Sequence, residues 1–370
     1  MKVLVTGGAG FIGSFLVDQL VQQGDDVRIL DNLDPQVHQD SLPEYLNEKA
    51  EFVRGDMRNI EDIKGAIKDV DIIIHHAAMV GVGQSMYQIK KYVEVNSLGT
   101  ANLLDLLVNQ EHNVKKLVVA SSMSTYGEGS YKCESCGVVS PLIRTEEQMR
   151  KSDWELHCPD CGAYLKPAQT KESKKQDINS VYALTKKDQE DMCLNVGKTY
   201  GIPTTALRYF NVYGPRQSLS NPYTGVIAIF MSRIKNNNQP LVFEDGNQTR
   251  DFISVHDIVD ATLLVMKSKS ADYDVFNIGT GRPTSIKRVA EVVARLCGKE
   301  IMPNITKKFR KGDIRHCIAD VSKIKSKLGF EPKTEFEEGV KEIIEWSSNV
   351  EAKDMVDKAT NELKEKGLID

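Results

Sequence analysis

The chain has 370 residues, 41% of them hydrophobic and 27% charged. That is enough apolar content to bury the cores of about two domains, and it excludes a mainly disordered chain. Lys and Arg total 48 against 52 Asp and Glu, a formal charge of −4, so no broad basic field exists to hold a nucleic-acid backbone, although a local patch stays open.

The first residues, MKVLVTGGAGFIG, carry one Lys and then a strand-and-glycine pattern. They lack the apolar core and small-residue cleavage site of a signal peptide. No run of about 18 apolar residues is present to span a bilayer. A cytoplasmic protein with neither a membrane nor a nucleic-acid partner is expected.

KVLVT (2–6) reads as a strand, and residues 11–23 place apolar side chains at helical spacing until Gly24 closes the helix. DVRILD (26–31) and EFVRGD (51–56) are the next strands. A short polar helix fits 59–68, followed by the strand VDIIIHHAA (70–78). Residues 91–110 read as a helix, 114–122 as a fifth strand, 180–199 as a helix and 204–210 as a sixth strand. Strand and helix alternate, and most strands are continuously apolar, as in a parallel sheet covered on both faces. The pattern predicts a Rossmann-type doubly wound α/β domain over 1–210. After Asn211, prolines, glycines and shorter elements predict a smaller substrate lobe over 211–348, with helices at 284–298 and 334–347. The charged, proline-free tail 349–370 is expected to be a surface helix with frayed ends.

Gly7-x-x-Gly10-x-x-Gly13 follows the first strand and opens the first helix. The glycines permit a tight turn and close approach of backbone to a pyrophosphate, and the helix N-terminus offers free N–H groups. Asp31 arrives at the end of the second strand, where a carboxylate binds ribose hydroxyls and repels a 2′-phosphate, favouring NAD over NADP. A mere tight turn with a surface Asp is the alternative. Asp56, ending the third strand, is either an adenine ligand or the N-cap of the helix after it.

Tyr182-x-x-x-Lys186 places two side chains one helical turn apart on one face. An ammonium beside a phenol lowers its pKa from about 10. A phenolate poised near neutrality can take a proton from a sugar hydroxyl as hydride leaves for a nicotinamide. Such a spacing also arises by chance on exposed helix faces, so its weight comes from the glycine loop upstream.

Seven cysteines and no signal peptide argue against a disulfide framework. Cys193, Cys297 and Cys317 read as small buried hydrophobes. The other four form Cys133-x-x-Cys136-Gly137 and Cys158-x-x-Cys161-Gly162, with 21 residues between the pairs. Four thiolates in this pattern suit one tetrahedral Zn²⁺ in a structural site, and the glycines permit the knuckle turns. A reversible disulfide and an iron site are the alternatives. His157 reads as a bystander.

These blocks, with HHAA (75–78), ASSMSTYG (120–127), RYFNVYGPRQ (208–217), RDFISVHD (250–257), NIGTG (277–281) and RKGDIRH (310–316), resemble the nucleotide-sugar epimerases and dehydratases of the extended short-chain dehydrogenase/reductase family. The resemblance implies a tightly bound NAD. It places the cofactor on Gly7, Gly10, Phe11, Ile12 and Gly13, on Asp31 and Asn32, and on Asp56 and Met57. Ala77, Ala78, Asn96, Tyr182 and Lys186 complete that set. It implies catalysis by Ser122, Tyr182 and Lys186, with Ser122 also bonding the sugar 4-hydroxyl. Asn211, Arg250, Arg310 and Asp313 are implied to hold the sugar diphosphate, for which paired guanidiniums are suited; taken singly, each Arg reads as a surface salt bridge.

The related 4,6-dehydratases carry Asp-Glu after the active-site hydroxyl, and the UDP-glucuronate decarboxylases keep the Glu. Here Met123 and Ser124 stand there, and neither is a useful acid. Oxidation at carbon 4, rotation of the keto-sugar and hydride return remain, which is a 4-epimerase. Ser122 precedes Tyr182 by 60 positions, far more than the family spacing, and the excess holds the zinc ribbon, 131–163. The ribbon is expected to be a lid or partner surface rather than a nucleic-acid binder. Its placement resembles a subgroup that includes dTDP-L-rhamnose 4-epimerases, with UDP-glucose/galactose epimerases as the close competitor. The family also implies a homodimer packed through helices 91–110 and 180–199. Two other readings stay open: a dehydratase or decarboxylase, and a non-enzymatic NAD- or nucleic-acid-binding regulator.

Overall fold

Seven parallel strands form the central sheet, in the spatial order 274–278, 204–209, 116–122, 72–75, 2–6, 26–31, 51–54. The computed structural model describes residues 1–38, 41–223 and 225–369; Thr224, within the segment 211–226, and Asp370, at the end of the tail, lie outside the described residues. The apolar strands bury both faces. Val3, Val5, Ile72, Ile74 and Val118 pack with Leu16, Leu20, Ile258 and Leu263 on one side. Leu4, Ile73, Leu117 and Val119 pack with Ile63, Leu103, Leu107 and Cys193 on the other. The chain order reverses between strands Lys2–Thr6 and Ile72–His75, and a crevice outside the carboxyl ends of strands at such a point is where ligands bind. Register fixes what meets there: Thr6 lies beside His75, and Ser122 beside Tyr209.

The expected boundary at residue 210 does not end this sheet. Its edge strand is Asp274–Ile278, hydrogen-bonded to Thr204–Tyr209, and helix Val255–Lys267 covers the same face as Phe11–Gln22. That pairing is long-range and has no local signature. The remainder forms a lobe in which helices Val226–Lys235, Ile286–Leu296 and Phe336–Ser347 bury Phe230, Met231, Val289, Val293 and Ile343.

A second sheet runs in the order 211–213, 249–254, 316–319, 166–170, 130–133, 137–139. Its last three strands belong to the cysteine-bearing insertion or flank it. The insertion is therefore built into the sheet of the smaller lobe, rather than standing apart as a lid.

Two expected helices differ. The stretch 91–110 is not one α-helix: Ile89–Tyr92 leads into a π turn, Val93–Leu98, before α-helix Gly99–Asn109. Asn96 lies in that turn with its amide bonded to both backbone groups of Met79, and π turns often mark such sites. The tail forms a surface helix, but one that is docked rather than frayed. Val356–Glu365 buries Ala359 and Leu363, spaced by four, and Glu362 accepts from Tyr223 Oη at 2.6 Å. A backbone hydrogen bond runs from Lys311 N to the Leu368 carbonyl. No helix among the described residues is long and apolar enough to cross a membrane.

Candidate active site

The glycine loop joins strand Lys2–Thr6 to helix Phe11–Gln22, with Gly10 at the N-cap and Phe11 and Ile12 opening the first turn. Gly7 adopts φ 70°. A Cβ on Gly13 would lie 2.2 Å from the Gly7 carbonyl oxygen, which is backbone and cannot yield. Gly13→Ala is therefore an overpacking change, costing about 1–3 kcal/mol, and NAD affinity should fall about tenfold to a hundredfold. Bound dinucleotide measured after purification checks this.

Asp31 ends its strand nearly buried. Its carboxylate accepts from Ala9 N of the loop at 3.1 Å and from Leu33 N at 2.9 Å. Asn32 donates to Asp56 at 3.0 Å. Arg58 binds Asp56 with two nitrogens, and that ion pair brings Asp56 down to about 2. The helix after it is capped by Asn59, not by Asp56. Met57 is buried under Gly99. Ala77 and Ala78 follow strand Ile72–His75, and the Ala77 backbone closes on Gly7. Asn96 donates to Thr185 on the tyrosine helix at 2.9 Å. These residues gather at the carboxyl ends of the strands, where Gly7, Gly8 and Gly13 have no room for a Cβ, which fits a dinucleotide.

Ser122 ends strand Lys116–Ser122, and its Oγ accepts from Ser124 N and Oγ at 3.2 and 3.0 Å. Tyr182 and Lys186 lie in the first turns of helix Val181–Tyr200, capped by Ser180. A buried ion pair holds this helix to the sheet: Arg208 bonds Glu190, and Ser121 donates to the same carboxylate at 2.6 Å. Serine and tyrosine meet by this route, and their hydrogen bond favours the phenolate. Burial nevertheless dominates, pushing Tyr182 up to about 12. Burial also brings Lys186 down to about 7, and its ammonium donates to Gln189 at 2.8 Å. The expected lowering of the phenol by the Lys186 ammonium is not met within the protein chain: burial dominates, and the Ser122 hydrogen bond, not Lys186, is what opposes it.

Gln189 escaped the sequence reading, although its i,i+3 spacing from Lys186 is a usable signal. Its amide reaches His75 Nε2 at 3.1 Å, while His75 Nδ1 bonds Thr6 at 2.7 Å. Burial, then the nearby Lys186 charge, pushes His75 down to about 3 from its ordinary 6.5. The folded value lies below the unfolded one, so stability from neutral His75 is full above about 6.5 and is lost as pH falls toward 3. The thermal midpoint should decline on acidification through that window, with a flatter acid limb in His75→Gln.

On the smaller lobe, Asn211 opens strand Asn211–Tyr213 with a buried Oδ1 that has no partner among the described residues, as a residue awaiting a ligand hydroxyl would. Arg250 and Arg310 share Asp313: Arg250 Nη2 reaches Oδ1 at 3.4 Å and Arg310 Nη2 reaches Oδ2 at 2.8 Å. The carboxylate holds the two guanidiniums side by side.

The four cysteine sulfurs lie within 4.8 Å of one another, with Cys133 and Cys158 buried. Cys133 and Cys161 are 3.5 Å apart, well beyond a disulfide bond. Gly137 and Gly162 adopt φ 80° and 75°, as the knuckle turns require. His157 bonds Asp153 instead of joining the thiols.

A glycine loop at the switch point of a doubly wound sheet, with Ser122, Tyr182 and Lys186 at its mouth, defines an extended short-chain dehydrogenase/reductase. The NAD dependent epimerase/dehydratase family model matches residues 3–144, and the GDP-mannose 4,6 dehydratase model matches 162–343. The chain is 34% identical to dTDP-L-rhamnose 4-epimerase of Burkholderia thailandensis, over 93% of this chain and 94% of that one. It is 33% identical to UDP-glucuronate 4-epimerase of Thermodesulfobacterium geofontis, over 94% and 97%. Among solved structures, the UDP-glucose 4-epimerase of Thermotoga maritima with UDP-glucose superposes with a TM-score of 0.75 at 31% identity, covering 94% of this chain and 98% of that one. The UDP-glucuronic acid 4-epimerase of Bacillus cereus, with UDP-glucuronic acid and NAD, gives 0.78 at 26%, covering 95% and 100%. The chain belongs to the NAD-dependent nucleotide-sugar epimerase/dehydratase family.

Proposed function

We propose that the protein is an NAD-dependent nucleotide-sugar 4-epimerase acting on a dTDP- or UDP-hexose, with dTDP-L-rhamnose and UDP-glucose/galactose as the leading substrates. The observation that carries the reading is Ser122 with Tyr182 and Lys186, followed by Met123 and Ser124 in place of acids. Met123 is buried against Tyr126 and Phe210, and Ser124 bonds back to Ser122. Neither can drive loss of water, so oxidation and reduction at carbon 4 is what the site can do.

When bound, NAD supplies the hydride acceptor and a positive charge near the phenol. Gly7, Gly10, Phe11, Ile12 and Gly13 would hold its pyrophosphate, and Asp31 and Asn32 its ribose. Asp56 and Met57 would face the adenine, and Ala77, Ala78 and Asn96 would line the rest. Tyr182 Oη takes the proton from the sugar 4-hydroxyl and later gives it back. Ser122 orients that hydroxyl and stabilises the phenolate, and Lys186 positions the nicotinamide ribose. Asn211 bonds the sugar, while Arg250, Arg310 and Asp313 form the diphosphate clamp.

Cys133, Cys136, Cys158 and Cys161 would hold one structural Zn²⁺; four thiolates leave the ion no open position for catalysis. The homodimer would pack through the helical segments 91–110 and 180–199, which expose Leu98 and Leu184. Proton NMR of the enzyme in D₂O with dTDP-L-rhamnose, dTDP-glucose, UDP-glucose, UDP-galactose and UDP-glucuronate tests the reading. A carbon-4 epimer free of solvent deuterium supports it, and a 4-keto-6-deoxy product carrying deuterium refutes it.

A further inference from the structure

The loop between strands Asn304–Ile305 and His316–Ala319 carries Arg310 and Asp313. It has little regular structure of its own. Arg250 reads the same loop, donating to the carbonyls of Ile314 at 2.7 Å and Arg315 at 3.0 Å. The position of this loop therefore sets the position of both guanidiniums.

The inserted segment holds it. Arg144, fully buried, donates to the Asp313 carbonyl at 3.3 Å and to both oxygens of Glu244. Its remaining bond goes to the Trp154 carbonyl at 3.0 Å, within the insertion. Glu155 accepts from the buried Arg315 and from His316 at 3.2 Å. Against burial, which acts in the opposite sense, those two partners bring Glu155 down to about 2. Met149 and Trp154 bury Phe309, the neighbour of Arg310. A buried, multiply bonded ionic cluster of this kind fixes one arrangement, because any partial break strands a charge.

We infer that the insertion is a positioning element for the diphosphate clamp, acting through Arg144 and Glu155 on the Arg310–Arg315 loop. The inference rests on the nucleotide-sugar reading above. It assigns the insertion a part in substrate affinity, separate from the hydride chemistry at Tyr182.

The test uses the NAD-loaded full chain as wild type, Arg144→Met, Arg144→Lys, Glu155→Gln and the control Glu134→Gln. Exposed Glu134 pairs with exposed Lys166 at the surface. Calorimetry with UDP, dTDP and UMP is set beside KM and kcat on the substrate identified by NMR. Arg144→Met and Glu155→Gln should lose about fivefold to thirtyfold in nucleoside-diphosphate affinity and gain as much in KM. UMP affinity, NAD content and kcat should hold. Arg144→Lys should recover part of the loss, and Glu134→Gln should match wild type. Glu155 is partly exposed, so its variant keeps the test open if Arg144→Met does not fold. Unchanged diphosphate affinity in a folded variant, or a fall in kcat instead, overturns the inference. Failure of wild type itself to bind UDP or dTDP overturns the nucleotide-sugar reading instead.

Discussion

Tyr182→Phe is expected to lower kcat by about 10²–10⁴ while NAD stays bound. The ring packs in an apolar cluster with Met79, Tyr92 and Val95, so phenylalanine fills the same volume. The cofactor cradle at Gly7–Gly13 is untouched. What disappears is the one oxygen that can exchange a proton with the sugar 4-hydroxyl. Ser122 cannot replace it, because a serine hydroxyl is a far weaker base than a phenolate. Rates under saturating nucleotide sugar, with dinucleotide content measured on the same sample, check the expectation. Near-normal turnover would remove Tyr182 from the mechanism.

Cys136→Ser is expected to yield protein without zinc and with a lower thermal midpoint. A neutral hydroxyl is a poor substitute for a thiolate, and structural zinc binding is coupled to folding. The loss is local at first, because the small core of Tyr131, Cys133, Leu156, Cys158 and Leu165 rests on the metal knuckles. Strand Lys166–Thr170 next to it pairs with His316–Ala319, so the loss spreads to the smaller lobe. A destabilisation of about 3 kcal/mol would lower the midpoint by roughly 5–10 °C. Tyr182 lies in the other lobe, so kcat should stay near the wild-type value, with KM rising as the Arg144 and Glu155 contacts loosen. Metal analysis and thermal melts of both proteins decide it, and zinc retained at the wild-type level would sink the four-cysteine assignment.

Local signals carried much of the site. The glycine loop, Asp31, the Tyr182–Lys186 spacing and the two cysteine knuckles each depend on residues close in sequence, where backbone geometry leaves few alternatives. Six strands of the central sheet were readable for the same reason, because most are continuous apolar runs. The seventh strand, Asp274–Ile278, was not, since its partner lies some seventy positions earlier and periodicity carries no pairing information. The docking of the charged tail was not legible, because its packed face offers little beyond Val356, Ala359 and Leu363; Glu362 completes the contact through a hydrogen bond. The insertion was legible as a cluster of four thiols but not as part of a sheet. Arg144 and Glu155 look like ordinary surface charges until Glu244 and Arg315 meet them from roughly a hundred and a hundred and sixty positions away.

The central claim is that hydride leaves carbon 4 and returns to the same atom from the other face. The most direct measurement uses a nucleotide sugar deuterated at carbon 4, in ordinary water, with product read by NMR and mass spectrometry. The account predicts the carbon-4 epimer with deuterium still on carbon 4 and no label in solvent. Loss of the label to water, or a product that has shed water or carbon dioxide, would contradict it.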